Sequence, residues 1–191
     1  MIKKFYISDL HIGHKNVIKL DNRPFGSVQE MNEEIVRRWN SVVKKGDLVY
    51  LCGDVIWDNS YVDVLKSLRG QKHLVLGNHD RINAEIRKCF FSIKPYKKIK
   101  DGDETVILSH YPMIAYDGSF RGRNIHLYGH VHTTNENVIM EDIKDKYATE
   151  DFPMRMYNVG CMMPYMDYTP RTLDEILLAM EAPKVLKSED F

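Results

Sequence analysis

No run of apolar residues approaches the roughly 20 needed to span a bilayer. The opening stretch, Met1 to Asp9, passes from a short apolar segment straight into polar residues, without the h-region or small-residue cleavage site of a secretory signal. Cysteine is scarce: Cys52, Cys89 and Cys161 are an odd number with no CxxC spacing. Neither a disulfide framework nor a thiolate metal site is expected, and each reads as a buried, reduced thiol beside an apolar run. A cytoplasmic location is expected, with no membrane partner. Charge of one sign is missing too, since 27 Lys and Arg balance 27 Asp and Glu. That disfavours long nucleic acid bound by counterion release, though it leaves room for a local basic patch. No linker, repeat or low-complexity segment interrupts the 191 residues. With 43% hydrophobic and 28% charged residues, the chain can build a sizeable core, and one domain over 1–191 is expected. Nothing in it fixes the oligomeric state.

What is present alternates. Lys4 to Ser8, Leu48 to Cys52 and His73 to Leu76 are short apolar runs of the kind buried on both faces of a sheet. Between them, Ser27 and Glu30 have capping-box spacing. Ile35, Trp39, Val42 and Val43 then share one helical face, and Gly46 ends that helix. Val62 to Leu68 and Ile82 to Cys89 read as further helices, so the first half resembles βαβ units. In the second half, Ile93 to Ile99 and Thr105 to Ser109 form a hairpin around Asp101-Gly-Asp-Glu104. Asn124 to Tyr128 and Arg155 to Val159 read as strands. Thr172 and Glu175 open a terminal helix that ends near Ala182-Pro183.

The informative pattern is where the polar residues fall. Ser8-Asp9-Leu10-His11, Gly53-Asp54, Gly77-Asn78-His79-Asp80, Ser109-His110 and Gly129-His130-Val131-His132 each follow the end of a strand. In open α/β sheets that is where ligands bind. If the backbone is extended there, residues two apart point the same way, so Asp9 with His11 and His130 with His132 can each serve one cluster. Imidazole plus carboxylate without thiolate suits manganese, iron, zinc or nickel better than calcium or magnesium. Two divalent cations bring four positive charges, and Asp9 and Asp54 return two. A bridging hydroxide leaves about one unit positive, which favours an anionic substrate such as a phosphate ester.

Taken in order, these five blocks resemble the calcineurin-like metallophosphoesterase superfamily, in its small single-domain bacterial and phage form. Asn158-Val-Gly160 is similar to the family's late strand. The resemblance implies an α/β fold, a four-layer α/β/β/α sandwich with two mixed β-sheets and the site at its crest. It implies a hydrolase acting on phosphate mono- or diesters, with a small phosphate ester or a nucleotide as substrate. Two divalent metal ions are implied, manganese first and iron, zinc or nickel as alternatives, with direct attack by metal-bound hydroxide and no covalent phosphoenzyme. By motif, Asp9, His11, Asp54 and His132 would hold the first metal. Asp54, Asn78, His110 and His130 would hold the second. His79 would be general acid or transition-state stabiliser, since imidazole ordinarily titrates near neutrality. Asp80 would orient the ring of His79. His14 and Arg23 are candidate phosphate contacts, because guanidinium forks suit phosphate oxygens. Arg121 and Arg123 have an equal claim as solvated surface residues. His73 and His126 read as structural.

Two other readings compete. Asp9-Leu-His-Ile-Gly-His14 is similar to the HxGH signature of nucleotidyltransferases, but no KMSKS-like or ISTS-like partner follows, and the other four blocks stay unexplained. A metal-bound scaffold that binds without hydrolysis is the second, and the intact Gly77-Asn78-His79-Asp80 block argues against it.

Overall fold

The computed structural model describes residues 2–181. In chain order the elements are β1 (Lys4–Ile7), α1 (Val17–Leu20), α2 (Val28–Val42), β2 (Leu48–Leu51), α3 (Val62–Ser67), β3 (Gln71–Val75), α4 (Ala84–Arg87), β4 (Ser92–Lys94), β5 (Lys97–Asp101), β6 (Glu104–Leu108), β7 (Ile125–Tyr128), α5 (Asn135–Tyr147), β8 (Met156–Asn158) and α6 (Leu173–Glu181). The strands form two four-stranded sheets, β1-β2-β3-β4 and β5-β6-β7-β8. Two sheets flanked by helices are the architecture expected of the metallophosphoesterase fold. The second sheet is mixed, with β5 and β6 antiparallel and the rest parallel. In the first, β1 to β4 pair in parallel, because each connection crosses back over a helix, and Arg171 adds an antiparallel bridge to Tyr6 on β1.

The predicted strand over Ile93 to Ile99 divides at Pro95-Tyr96. Proline cannot donate to a ladder, so the chain leaves the first sheet after Lys94 and enters the second at Lys97. The predicted helix over 82–89 shrinks to the single turn of α4, capped by Asn83, whose side chain accepts from Glu85 N and Ile86 N. Helix α5 has no counterpart in the sequence reading. The expected end of the last helix at Ala182-Pro183 lies outside the described residues.

The capping boxes form as their chemistry requires. Ser27 Oγ accepts from Glu30 N at 3.1 Å, and the Glu30 carboxylate reaches back to Gly26 N. Thr172 and Glu175 make the reciprocal pair. Helix α2 then buries Met31, Ile35 and Trp39 completely. Each such side chain contributes roughly 1.5–3 kcal/mol of apolar burial, and Trp39 also donates its indole N–H to Arg69 O at 2.9 Å. Strands β6 and β7 are buried on both faces. Val106, Leu108, Ile125 and Leu127 join the main core. The alternate residues Ile107 and Tyr128 face a second apolar cluster with Met140 of α5, as the two-residue period of a strand dictates. His126 lies in that core at 0% exposure. Cys52 and Cys161 are buried thiols as expected, whereas Cys89 is partly exposed.

One junction positions everything that follows. Beyond β1, Ser8 bridges in parallel to Gly160, beyond β8. Ser8 N donates to Val159 O at 2.8 Å, and Cys161 N to Ser8 O at 2.9 Å. The carboxyl ends of the two sheets meet here, and Asp9 is the next residue.

Candidate metal centre

Seven donor side chains converge at this junction. His11 Nε2 lies 3.3 Å from His132 Nε2, and His132 Nε2 lies 3.6 Å from Asp9 Oδ1. On the other side, Asn78 Oδ1 lies 2.7 Å from His110 Nε2 and 3.1 Å from His130 Nδ1. Asp54 stands between the two groups, its Oδ2 3.8 Å from His11 Nε2 and 3.6 Å from His110 Nε2. Asp9, His11 and His132 form one set of donors close enough for a single cation, and Asp9, Asp54 and His110 form another.

The chain does not bring these groups together through extended backbone, as the two-apart spacing implied. Asp9, His11, Asp54, His130 and His132 all adopt positive φ, between 45° and 71°. Left-handed backbone at five non-glycine donors costs of order 1 kcal/mol or more each, and persists where surrounding structure over-determines it. Here that structure is visible. Asp9 N donates to Gly53 O and His11 N to Asp54 O, both at 3.0 Å. His130 N donates to the Asp9 carboxylate at 3.1–3.2 Å. Two glycines permit the approach. A Cβ on Gly77 would overlap the carboxylate and amide of Asp54, and one on Gly129 would overlap the Asp9 carboxylate and Ser8 Oγ.

The electrostatics fit cations. Asp9 and Asp54 are 0% and 3% exposed, yet they face imidazoles rather than a fixed positive side chain. Burial would push the Asp9 carboxyl up, but the hydrogen bond and charge of His132, with His110 and His11 behind it, outweigh this and hold it at about 2. Burial pushes His11 down to about 3 against the pull of Asp9. His132 moves the other way: burial opposes its charge, but Asp21 and Asp9 carry it up to about 9. Buried carboxylates and imidazoles facing one another are the donor set of a hard-to-borderline divalent cation. His110 is oriented for the same purpose. Its Nδ1 is 2.8 Å from Cys52 O, which makes it the donor and leaves Nε2 free toward Asp54 and Asn78.

Two expected roles are placed differently. Arg23 is not at the mouth but beneath the floor, 4% exposed. Its guanidinium donates to Leu10 O at 3.0 Å, Asp9 O at 2.9 Å and Asp21 Oδ2 at 2.8 Å. It braces the first donor loop and has no fork left for phosphate. Asp80 does not bond the ring of His79. Its Oδ2 accepts from Asp54 N and Gly77 N, and its Oδ1 from Val55 N, all at 2.8–2.9 Å. It is a clamp between two donor loops. A carboxylate three residues after Gly77 meets that residue's N–H and those of the adjoining Asp54-Val55 loop. His14 lines the cleft, its ring stacked on Trp57.

His79 itself is exposed over the site, and its backbone N–H donates to Asp54 Oδ1 at 2.9 Å. Sequence reasoning missed three supports. Asp21 Oδ1 accepts from His132 Nδ1 at 2.7 Å. Asn158 donates to His132 O at 2.9 Å. Ser8 Oγ donates to Asp9 Oδ2 at 2.6 Å. The signal for the last two was their place beside recognised blocks; Asp21 carried none. The resulting cleft of about 260 Å³ is lined by His11, Asp54, His79, His130 and His132, with His14 and Trp57 on one wall. No helix among the described residues is long and apolar enough to cross a membrane.

The family model described as the calcineurin-like phosphoesterase superfamily domain matches residues 3–175. An uncharacterised protein of Methanocaldococcus jannaschii is 32% identical over 192 residues, covering 98% of this chain and 97% of that one. The gene 66 protein of Mycobacterium phage L5 is 28% identical over 137 residues, covering 60% of this chain and 66% of that protein. The crystal structure of a protein of unknown function from Aquifex aeolicus superposes with a TM-score of 0.72 at 27% identity, covering 94% of this chain and 100% of that one.

Proposed function

Because the chain belongs to the calcineurin-like phosphoesterase superfamily, we propose that it hydrolyses phosphate esters using two divalent cations held between Asp9, His11, Asp54 and His132 on one side and Asp54, Asn78, His110 and His130 on the other. One observation carries the reading: Asp54 stands within 4 Å of a histidine from each group, 3.8 Å from His11 and 3.6 Å from His110. When bound, such a pair of cations lowers the pKa of a water, clamps phosphoryl oxygens and neutralises developing charge.

The chain's own residues supply the rest. Asp9 and Asp54 are buried in the floor and would hold the cations. Asp21 fixes His132, and Cys52 O fixes His110, so that each presents one defined nitrogen. His79 stands at the open side, where an imidazolium can give its proton to the departing alkoxide oxygen. The hydrogen bond from the His79 backbone N–H to Asp54 anchors the loop that carries this residue to the carboxylate between the two donor groups. Manganese is the proposed metal, from the mixed imidazole and carboxylate donors. The substrate is a small phosphate ester or nucleotide, and the location cytoplasmic.

The test is a panel of phosphate mono- and diesters, p-nitrophenyl phosphate and bis-p-nitrophenyl phosphate among them, with Mn²⁺ and with a chelator. Metal-dependent release of p-nitrophenol is expected. Protein that takes up two equivalents of metal and hydrolyses nothing in the panel would favour the non-hydrolysing scaffold instead.

A further inference from the structure

We propose that Trp57 is a stacking platform for a planar aromatic group carried by the phosphate ester, of the kind a nucleobase presents. The proposal rests on the phosphoesterase reading above and names the substrate class it takes.

Trp57 follows β2 by six residues and is 44% exposed, although it is one of the largest apolar side chains in the protein. A tryptophan left at the surface without a role is a costly apolar exposure. This one stands on the wall of the polar cleft, not on a remote face. Its ring is held from one side. The His14 ring lies parallel to it, 3.8 Å between centroids with 5° between planes. The backbone fixes it too, with Trp57 N donating to Ile12 O at 2.9 Å. His14 spends its ring on this contact: its Nδ1 is buried without a hydrogen-bond partner. The His79 ring stands 4.8 Å from the indole, and that of His11 6.1 Å. The platform therefore adjoins both the general acid and the first donor group.

The surroundings select the ligand. Val17 and Leu20 continue the wall, and Leu20 is 75% exposed. No lysine or arginine among the described residues lines this cleft, and beside the indole a flat, weakly polar group gains contact. A cleft of about 260 Å³ lies near the lower end of small-ligand pockets. Braced indoles are also what proteins use to hold bases whatever their sequence.

Two measurements test this. The first needs no turnover. Trp39 is fully buried and the sequence has two tryptophans, so a change in emission on ligand binding reports Trp57. Thymidine 5′-monophosphate added to Mn²⁺-loaded protein should quench saturably, with inorganic phosphate competing. Ribose 5-phosphate should compete without quenching. Trp57→Phe should lose the signal. Quenching that is absent, or equal with ribose 5-phosphate, overturns the proposal.

The second compares three diesters that share p-nitrophenol as leaving group and carry methyl, phenyl or thymidine 5′-yl as the retained substituent. In Trp57→Ala the preference for phenyl and thymidine over methyl, as a ratio of kcat/KM, should fall by roughly tenfold. Trp57→Phe should keep most of it. A fall for phenyl alone assigns the platform to aryl esters, and a fall for thymidine alone to nucleotides. An unchanged ratio in both overturns the proposal while leaving the hydrolytic reading intact. Failure to hydrolyse any ester bears on the hydrolytic reading, and the emission experiment still decides this one.

Discussion

The Nδ1 of His132 donates to Asp21 Oδ1 at 2.7 Å across 111 residues of sequence. The other oxygen of Asp21 takes the guanidinium of Arg23. The carboxylate thus sets which nitrogen of His132 faces Asp9. Asp21→Asn should weaken metal binding by about 10–100-fold, the usual cost of losing such an orienting partner. Metal titration in a competing chelator measures it. Unchanged affinity would mean that His132 is oriented by its backbone alone.

Asp54→Ala should release both metals, because this carboxylate borders both donor groups. Elemental analysis after desalting reads the result directly. Two equivalents retained would contradict the bridging role.

His79→Ala should leave the metal content intact and slow turnover by roughly 10²–10⁴-fold, the typical worth of a general acid. The loss should be smaller for esters of acidic alcohols, which leave without a proton. If turnover with alkyl esters is unchanged, another group gives the proton.

Stability should fall in acid through His126, outside the metal centre. Burial pulls its pKa down to about 4, against opposing backbone hydrogen bonds. Its Nε2 accepts from Met113 N at 3.1 Å, while Nδ1 donates to Ile107 O at 3.2 Å, so only the neutral ring satisfies both. The unfolded imidazole titrates near 6.5. Between these values the unfolded chain binds a proton that the native protein does not, so the stability is complete above about pH 6.5 and drains as pH falls toward 4. The gap corresponds to about 3 kcal/mol. Denaturant melts of the protein and of His126→Gln at several pH values should show a shallower slope in the variant. Equal slopes would place the acid sensitivity elsewhere.

The donors were legible in sequence because a strand end, a glycine or serine and a ligating residue recur in fixed order. Block order does not depend on side-chain direction, so Asp9, Asp54, Asn78 and His110 could be found without a structure. Direction was not legible. Arg23 beside Pro24 reads as a loop arginine, and only the fold shows that the loop turns inward and spends the guanidinium on carbonyls. Asp80 next to His79 invites a pairing that the nearer N–H groups of Gly77, Asp54 and Val55 pre-empt. The βαβ order of the first sheet followed from apolar period. The switch of sheets at Pro95-Tyr96 did not, because the residues on both sides of it keep strand-like composition. Trp57 gave no signal, since one aromatic after a strand is as often core as surface.

Arg23 beneath the floor has a kinetic corollary. With the Arg23 guanidinium spent on backbone carbonyls and Asp21, and no lysine or arginine among the described residues lining the cleft, the proposed cations would be the main source of attraction for a phosphate dianion. If the chain acts as proposed, metal should therefore bind before the ester. Affinity for a phosphate ester should then rise with the concentration of free divalent ion.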